Sequence, residues 1–236
     1  MEHLPNQFPT IEKTEIPPLG VRGLNVLCSW SGGKDCCYAL IEAKRLGYNP
    51  ILLLNMMDVD GKTSRSHGLP VEMLRQQAKA MNMELMTVPT SREDYEQHFI
   101  AALTKAKTEY NIEGIVYGDI DLWAHREWQE RVCKIVGLEP IIPLWERKRA
   151  DLADEMVAVG IESIVVACNE AMGETYLGKT YSTEMIEAVK KLGLCPCGED
   201  GEFHSFVVNS PLHRHKVQMP EYTTDFHDGF HFINWE

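Results

Sequence analysis

From Leu24 onward, short apolar runs alternate with longer stretches in which apolar residues return every three or four positions. Short apolar or β-branched runs bounded by turn formers predict strands, and the longer period predicts helices with one buried stripe. The predicted strands are Leu24–Ser29, Pro50–Asn55, Glu84–Val88, Gly114–Tyr117, Glu139–Ile142 and Glu162–Ala167. The predicted helices between and after them are Lys34–Leu46, Val71–Met81, Arg92–Tyr110, Ala124–Val136, Arg149–Val159 and Ser182–Leu192. Alternation of this kind predicts an α/β fold, a mostly parallel Rossmann-like sheet with helices on both faces. Gly47 after "AKRL" and Gly137 after "CKIV" stand where left-handed helix ends fall.

Both ends of the chain have a different texture. Residues 1–22 read as an extended arm, because Pro17-Pro18 forbids a helix there. After Leu192 the runs Phe203–Val208 and His213–Gln218, around a turn at Asn209–Pro211, predict a hairpin. The closing "YTTDFHDGFHFINWE" reads as an aromatic tail folded back over the body in preference to a metal site, since its histidines have no defined ligand partners. Three parts are expected: the arm at 1–22, a nucleotide-binding domain at 23–143, and a smaller α+β substrate-binding region at 144–236.

Composition narrows the function. The chain has 236 residues with 44% hydrophobic and 25% charged, enough for a packed core. Its net charge is −12, from 23 Lys+Arg against 35 Asp+Glu, so nucleic acid would be repelled unless a local basic patch existed. The short basic cluster is Arg147–Arg149, and acids after it make a solvated helix start the expected reading. No run is long enough for a transmembrane helix and no secretory signal is visible. Seven cysteines, an odd number scattered through strands and helices, point to reduced thiols and a cytoplasmic address.

The chemistry is concentrated in "SWSGGKDCC", where the first strand turns into the first helix. Glycines let the backbone turn sharply and approach a ligand. Successive amides then form a nest, and the helix dipole adds favourable potential for an anion. Lys34 would bring a mobile positive charge to phosphate oxygens. A plain tight turn is the alternative; Ser31, Gly32, Gly33 and Lys34 together at the first joint of an α/β sheet favour the ligand site. The motif is not a Walker A loop, since Asp35 and not Ser or Thr follows the lysine, and it is not GxGxxG. Cys36 and Cys37, beside Lys34 at a helix start, could have lowered pKa values, but packing and nest duties are the favoured reading over nucleophilic catalysis.

"SGGKDC" resembles the PP-loop of the ATP-pyrophosphatase superfamily, which implies an adenine nucleotide alpha hydrolase-like fold and ATP as substrate. Cys36 stands where that motif usually has Ser; a backbone nest survives the change, while a hydroxyl contact to phosphate would not. Further segments resemble the diphthine–ammonia ligase family. "VYGDIDLWAHREWQERVCKIVGLEPIIPLW" matches its middle motif through Gly118, Asp119, Arg126, Glu130, Gly137, Leu138 and Pro143–Trp145. "YLGK" is similar to its LGR-like turn, "GEDGEFHSFV" to its GEGGEF signature, and His67 in "RSHGLP" to a third element. The resemblance spans roughly residues 24–220.

The resemblance implies a ligase that adenylates a carboxylate, releases pyrophosphate, and then makes an amide from ammonium with release of AMP. The nucleotide would be held by Ser29, Ser31, Gly32, Gly33, Lys34, Asp35, Cys36 and Gly118, with adenine against the main chain of Asn55, Met56 and Met57. Catalytic roles fall to Lys34, Asp35, Asp119 and Arg126, the last on the α-phosphate or the carboxylate. Magnesium bridging the phosphates is expected, helped by Asp35 or Asp119, and no residue is assigned as a dedicated metal ligand. His67, Glu130, Glu199, Gly201 and Glu202 fall on the substrate side. Three carboxylates on the 198–202 turn ask for a positive partner: ammonium, magnesium or a cationic substrate group. The implied substrate is diphthine on elongation factor 2 where the organism makes it, and a small metabolite carboxylate otherwise. No nucleic acid or membrane partner is expected, and a homodimer is compatible with the resemblance. Trp123 and Trp145 read first as core, second as a cation–π surface for the family substrate's trimethylammonium group. Cys195 and Cys197 read as ordinary thiols; zinc would need further ligands such as His204 and His213. The rival functions are a PP-loop tRNA thiolase and a non-catalytic nucleotide sensor.

Overall fold

A computed structural model describes residues 23–235, so the predicted arm at 1–22 lies outside the described residues. The first five apolar runs become β1 (Asn25–Ser29), β2 (Asn49–Met57), β3 (Glu84–Pro89), β4 (Gly114–Val116) and β5 (Glu139–Ile141). They form one sheet in the order β3-β2-β1-β4-β5, every neighbouring pair parallel. Between them run α1 (Lys34–Arg45), α2 (Val71–Met81), α3 (Tyr95–Tyr110) and α4 (Trp123–Val136).

Strand side chains alternate between two cores, as the period of two requires. Val26, Cys28, Leu53 and Val116 pack with α1 and α2. Leu27, Leu52, Leu54, Ile115 and Tyr117 pack with α3 and α4. The sheet is therefore covered on both faces. Gly137 ends α4 at φ +72, the left-handed end its position predicts, and Asn82 and Asn111 do the same for α2 and α3.

The sixth predicted strand departs from the series. As β6 (Glu162–Asn169) it belongs to a second, antiparallel sheet with β7 (Phe203–Asn209), β8 (Tyr222–His227) and β9 (Phe230–Trp235), ordered β7-β6-β9-β8. Helices α5 (Arg149–Ala158) and α6 (Thr183–Lys191) pack beside it in the same core. The predicted hairpin at 203–218 does not form. Ser210 Oγ instead holds the amide of Leu212 and the ring of His213, curling the chain away after β7. Arg214 N donates to Ala80 O, and a single bond from Val217 N to Val208 O replaces a ladder. The hairpin is β8–β9, turning at Asp228 (φ 52) and Gly229 (φ 79), the pair of positive φ angles that an Asp-Gly turn supplies. The aromatic tail does fold back: β9 pairs with β6, and Ile233 is buried.

The two sheets share a core, in which Phe206, Val207 and Val208 join Cys37, Tyr38 and Leu74. No helix among the described residues is long and apolar enough to cross a membrane.

Candidate active site

In a doubly wound sheet, a crevice opens beyond the carboxyl ends of the strands where the chain order reverses, here between β1 and β4. A cleft of about 690 Å³ lies there. The ends of β1 and β2, the turn into α1, the loop after β4, α4 and the 197–205 segment bound it. Gly32 turns the chain at φ +89. A Cβ on Gly118 would stand 2.7 Å from Cys36 N, so only glycine lets the loop after β4 lie against the start of α1. Among the described residues the amides of Asp35 and Cys36 donate to nothing. With the positive end of α1 behind them they make an anion site.

The charges at this turn are arranged differently from the sequence expectation. Lys34 is not a mobile arm. It is 2% exposed, and its Nζ donates to Asp35 Oδ1 (3.1 Å), Asp35 Oδ2 (2.9 Å) and Cys197 O (2.5 Å). It lies 5.0 Å from the ring centre of Phe203. Burial alone would lower its pKa; Asp35, with Cys197 and Glu199, outweighs burial and raises it, so the ammonium stays charged. The thiols follow the packing reading. Burial raises the pKa of Cys36 and of Cys37, because the sulfurs are excluded from water. Cys36 Sγ lies 3.1 Å from Gly33 O and 3.4 Å from Ser31 Oγ, a packing role.

The antiparallel sheet clasps the turn from the other side. Val207 N donates to Gly32 O at 2.9 Å, and Lys34 N to Ser205 Oγ at 3.1 Å. Gln77, fully buried on α2, donates to Gly32 O and Val207 O while accepting from Trp30 Nε1. His67 closes over Gly33 and its Nδ1 donates to Ser205 O at 2.9 Å. Burial, then the adjacent His204 ring, push the pKa of His67 down to about 3, so this ring is neutral near pH 7.

At the mouth, Arg149 donates to Asp121 Oδ1 and Oδ2 at 2.8 and 2.7 Å and to Asp200 Oδ1 at 2.8 Å. It ties the loop after β4 to the 198–202 turn. The expected solvated helix start is thus a cleft wall, and Arg147 beside it pairs with Glu155 and Glu42. Glu202 is buried and spends both oxygens on the amides of Cys195 and Asp200. Glu199 lines the cleft, and burial, then the charge of Asp35, raise its pKa to about 7. Cys195, Asp200 and Glu202 gather within 4.8 Å, but amides and Arg149 already satisfy the carboxylates; His204 and His213 are not in the group.

Of the residues singled out from sequence, Ser29, Ser31, Lys34, Asp35, Cys36, Asn55, Met56, His67, Gly118, Asp119, Glu199 and Gly201 line the cleft. Gly32, Gly33, Met57 and Glu202 lie behind its wall, with Met57 fully buried in the core. Arg126 and Glu130 do not line it. Arg126 Nε donates to Glu130 at 2.7 Å, and its guanidinium lies 5.3 and 4.8 Å from the ring centres of Trp123 and Trp145. The chain's own arginine thus occupies the aromatic pair, and Trp123 is 57% exposed and not core. Sequence reasoning read Arg149 as a solvated charge and Cys197 as an ordinary thiol, and passed over Gln77, Asp121, His125, Gln129 and Ser205. Asp121 and His125 stood in "GDIDLWAHREW", where two acids and a histidine follow the Gly118 turn; the others gave no local signal.

A doubly wound sheet whose switch point carries a turn with free amides at a helix start, clasped by a second sheet, defines a Rossmann-like α/β protein with a cleft at that turn. Two family models specify it further: one described as the diphthamide synthase N-terminal domain matches residues 24–140, and its C-terminal counterpart matches 148–236. The chain belongs to the diphthamide synthase family. Curated relatives are named diphthine–ammonia ligase. The rat protein is 29% identical and the human one 27%, each over 213 residues and 79% of both chains. The Schizosaccharomyces pombe protein is 26% identical over 84% of this chain and 36% of its own length. A solved chain, titled a predicted subunit of tRNA methyltransferase from Methanocaldococcus jannaschii, is 17% identical with TM-score 0.44, covering 80% of this chain and 98% of that one.

Proposed function

We propose that this chain is an ATP-dependent carboxylate–ammonia ligase of the diphthine–ammonia ligase type. The observation that carries the reading is the pair of undonated amides, Asp35 and Cys36, opening into a cleft behind the left-handed Gly32 in a chain of this family. The nest of residues 31–36 receives the β- and γ-phosphates of ATP, and the fixed Lys34 ammonium lowers the cost of charge building on the departing pyrophosphate. Asn55 and Met56 meet the base at the end of β2. The substrate carboxylate attacks the α-phosphorus, pyrophosphate leaves, and ammonia then displaces AMP from the acyl-adenylate. Arg149, Glu199 and Gly201 border the side where the carboxylate enters.

Magnesium accompanies the nucleotide in this reading, held by phosphate oxygens and water. Asp35 has both oxygens on Lys34, and Asp119 has one on His125 and one on Gln129. Neither fits as a dedicated metal ligand. The substrate is diphthine on elongation factor 2 where the organism makes it, or a small metabolite carboxylate, with ammonium as nitrogen donor and no nucleic acid. A cytoplasmic address is supported by seven unbridged thiols. A homodimer is compatible with the reading.

The test is release of AMP and pyrophosphate from ATP that depends on both ammonium and elongation factor 2 bearing diphthine, followed by a screen of small carboxylates. Lys34→Met is expected to slow pyrophosphate release roughly 100- to 1,000-fold. ATP binding without cleavage under every condition would make the chain a nucleotide sensor, and tight tRNA binding at physiological salt would restore the thiolase.

A further inference from the structure

Asp119 and His125 form an oriented pair on the wall of the cleft. His125 stands in the first turn of α4, its amide bonded to Leu122 O at 3.0 Å. Its Nδ1 donates to Asp119 Oδ1 at 2.7 Å, because a carboxylate can only accept. Gln129, one turn on and 3% exposed, donates from Nε2 to Asp119 Oδ2 at 2.5 Å. Both carboxylate oxygens are thus engaged, and the imidazole is held in one tautomer. The other ring nitrogen, Nε2, has no partner among the described residues, and His125 lines the cleft with 59% of its side chain exposed.

We infer that His125 is the general base of the amide-forming half-reaction, with Asp119 and Gln129 as its positioning residues. The inference rests on the ligase reading above. Ammonium leaves its extra proton in solution and enters as ammonia. As nitrogen bonds to the acyl carbon, one proton passes from nitrogen to His125 Nε2. The bond from carbon to the AMP oxygen breaks, and its electron pair leaves with AMP. The balance is acyl-adenylate, ammonia and neutral imidazole giving amide, AMP and imidazolium.

Other groups in the cleft are less suited. His67 spends Nδ1 on Ser205 O and is half-buried, with its pKa pushed down to about 3 by burial and the His204 ring. Lys34 and Asp35 neutralise each other, and Asp121 and Asp200 share Arg149. Glu199 has no orienting partner among the described residues, and burial with the nearby Asp35 already holds its proton to about pH 7. The groups facing His125 are Asp119 and, from the 198–202 turn, Glu199; further round lie the Arg149–Asp121 and Lys34–Asp35 pairs. The hydrogen bond to Asp119 is the largest influence on the ring and raises its pKa, with Glu199 adding to it.

Hydroxylamine traps acyl-adenylates without enzymic help, so hydroxamate reports adenylation while amide reports the second step. With ATP and elongation factor 2 bearing diphthine, His125→Gln should form hydroxamate within about threefold of the wild type and lose ammonium-dependent amide formation by roughly 100-fold or more. Asp119→Asn should lose about tenfold. Measured at constant free ammonia, its rate should begin to rise at a lower pH than the wild type, since the ring has lost the carboxylate that holds its proton. Equal loss of both products in His125→Gln, or retention of both, would overturn the inference and leave the ligase reading intact. A wild type that gives no hydroxamate would sink the ligase reading, and this inference with it.

Discussion

Strand β2 buries Leu52 through Met57 without a break, whereas all six residues of β8 are exposed. The first is an interior strand of a parallel sheet covered on both faces, where side chains on either face leave water. The second is the edge of an antiparallel sheet whose anchor is the opposite strand, β7, against the phosphate turn. The rigid frame and the opposite wall of the cleft are thus divided between them. The parallel sheet fixes the anion nest. The antiparallel one clasps that turn through β7, with bonds such as Gln77 to Val207 and Lys34 to Ser205, and the turn with Glu199 reaches into the cleft.

Three substitutions probe that division. Leu53→Ala, at a fully buried site in the parallel sheet, should cost about 2–5 kcal/mol by urea unfolding. A cost under about 1 kcal/mol would mean that this sheet is not the rigid partner. Glu199→Gln should show a smaller, pH-dependent effect. The carboxyl rises from its ordinary 4.5 to about 7 on folding, so the folded chain binds that proton more tightly than the unfolded one. The stability this contributes is full below about pH 4.5 and is lost as pH rises to 7. The glutamine variant should match the wild type in acid and exceed it above pH 7, by on the order of 1–2 kcal/mol after screening by cleft water. A pH-independent difference would place Glu199 in ordinary solvent. Phe226→Ser on β8, half exposed, should shift stability by less than about 0.5 kcal/mol, and a larger loss would show that the edge is held by more than its ladder.

What could be read in advance follows the same line. Helix α2 spans the residues its periodicity predicts, Val71–Met81, and the first five strands lie within a few residues of their apolar runs. Gly118 and the Ser31–Cys36 turn announced themselves because glycines at a strand–helix joint have few other uses. The hairpin was misplaced because two alternating runs outweighed the stronger turn, Asp228-Gly229, hidden among aromatics. Arg149 read as a solvated charge because its partners, Asp121 and Asp200, are 28 and 51 residues away. Cys36 and Cys37 read as packing residues more than as activated thiols, and burial bears that reading out by raising both.

Local rules alone determined the strand–helix alternation, the nest at 31–36 and the family motifs, because periodicity, glycine freedom and helix polarity act over a few residues. Tertiary structure decided which strands share a sheet, that β6 leaves the parallel series, and that Lys34 is pinned to the carbonyl of Cys197, 163 residues away. It also set Asp119 against His125 and Gln129. These outcomes depend on burial and on partners distant in the chain, and desolvation has no value until the core that causes it has closed.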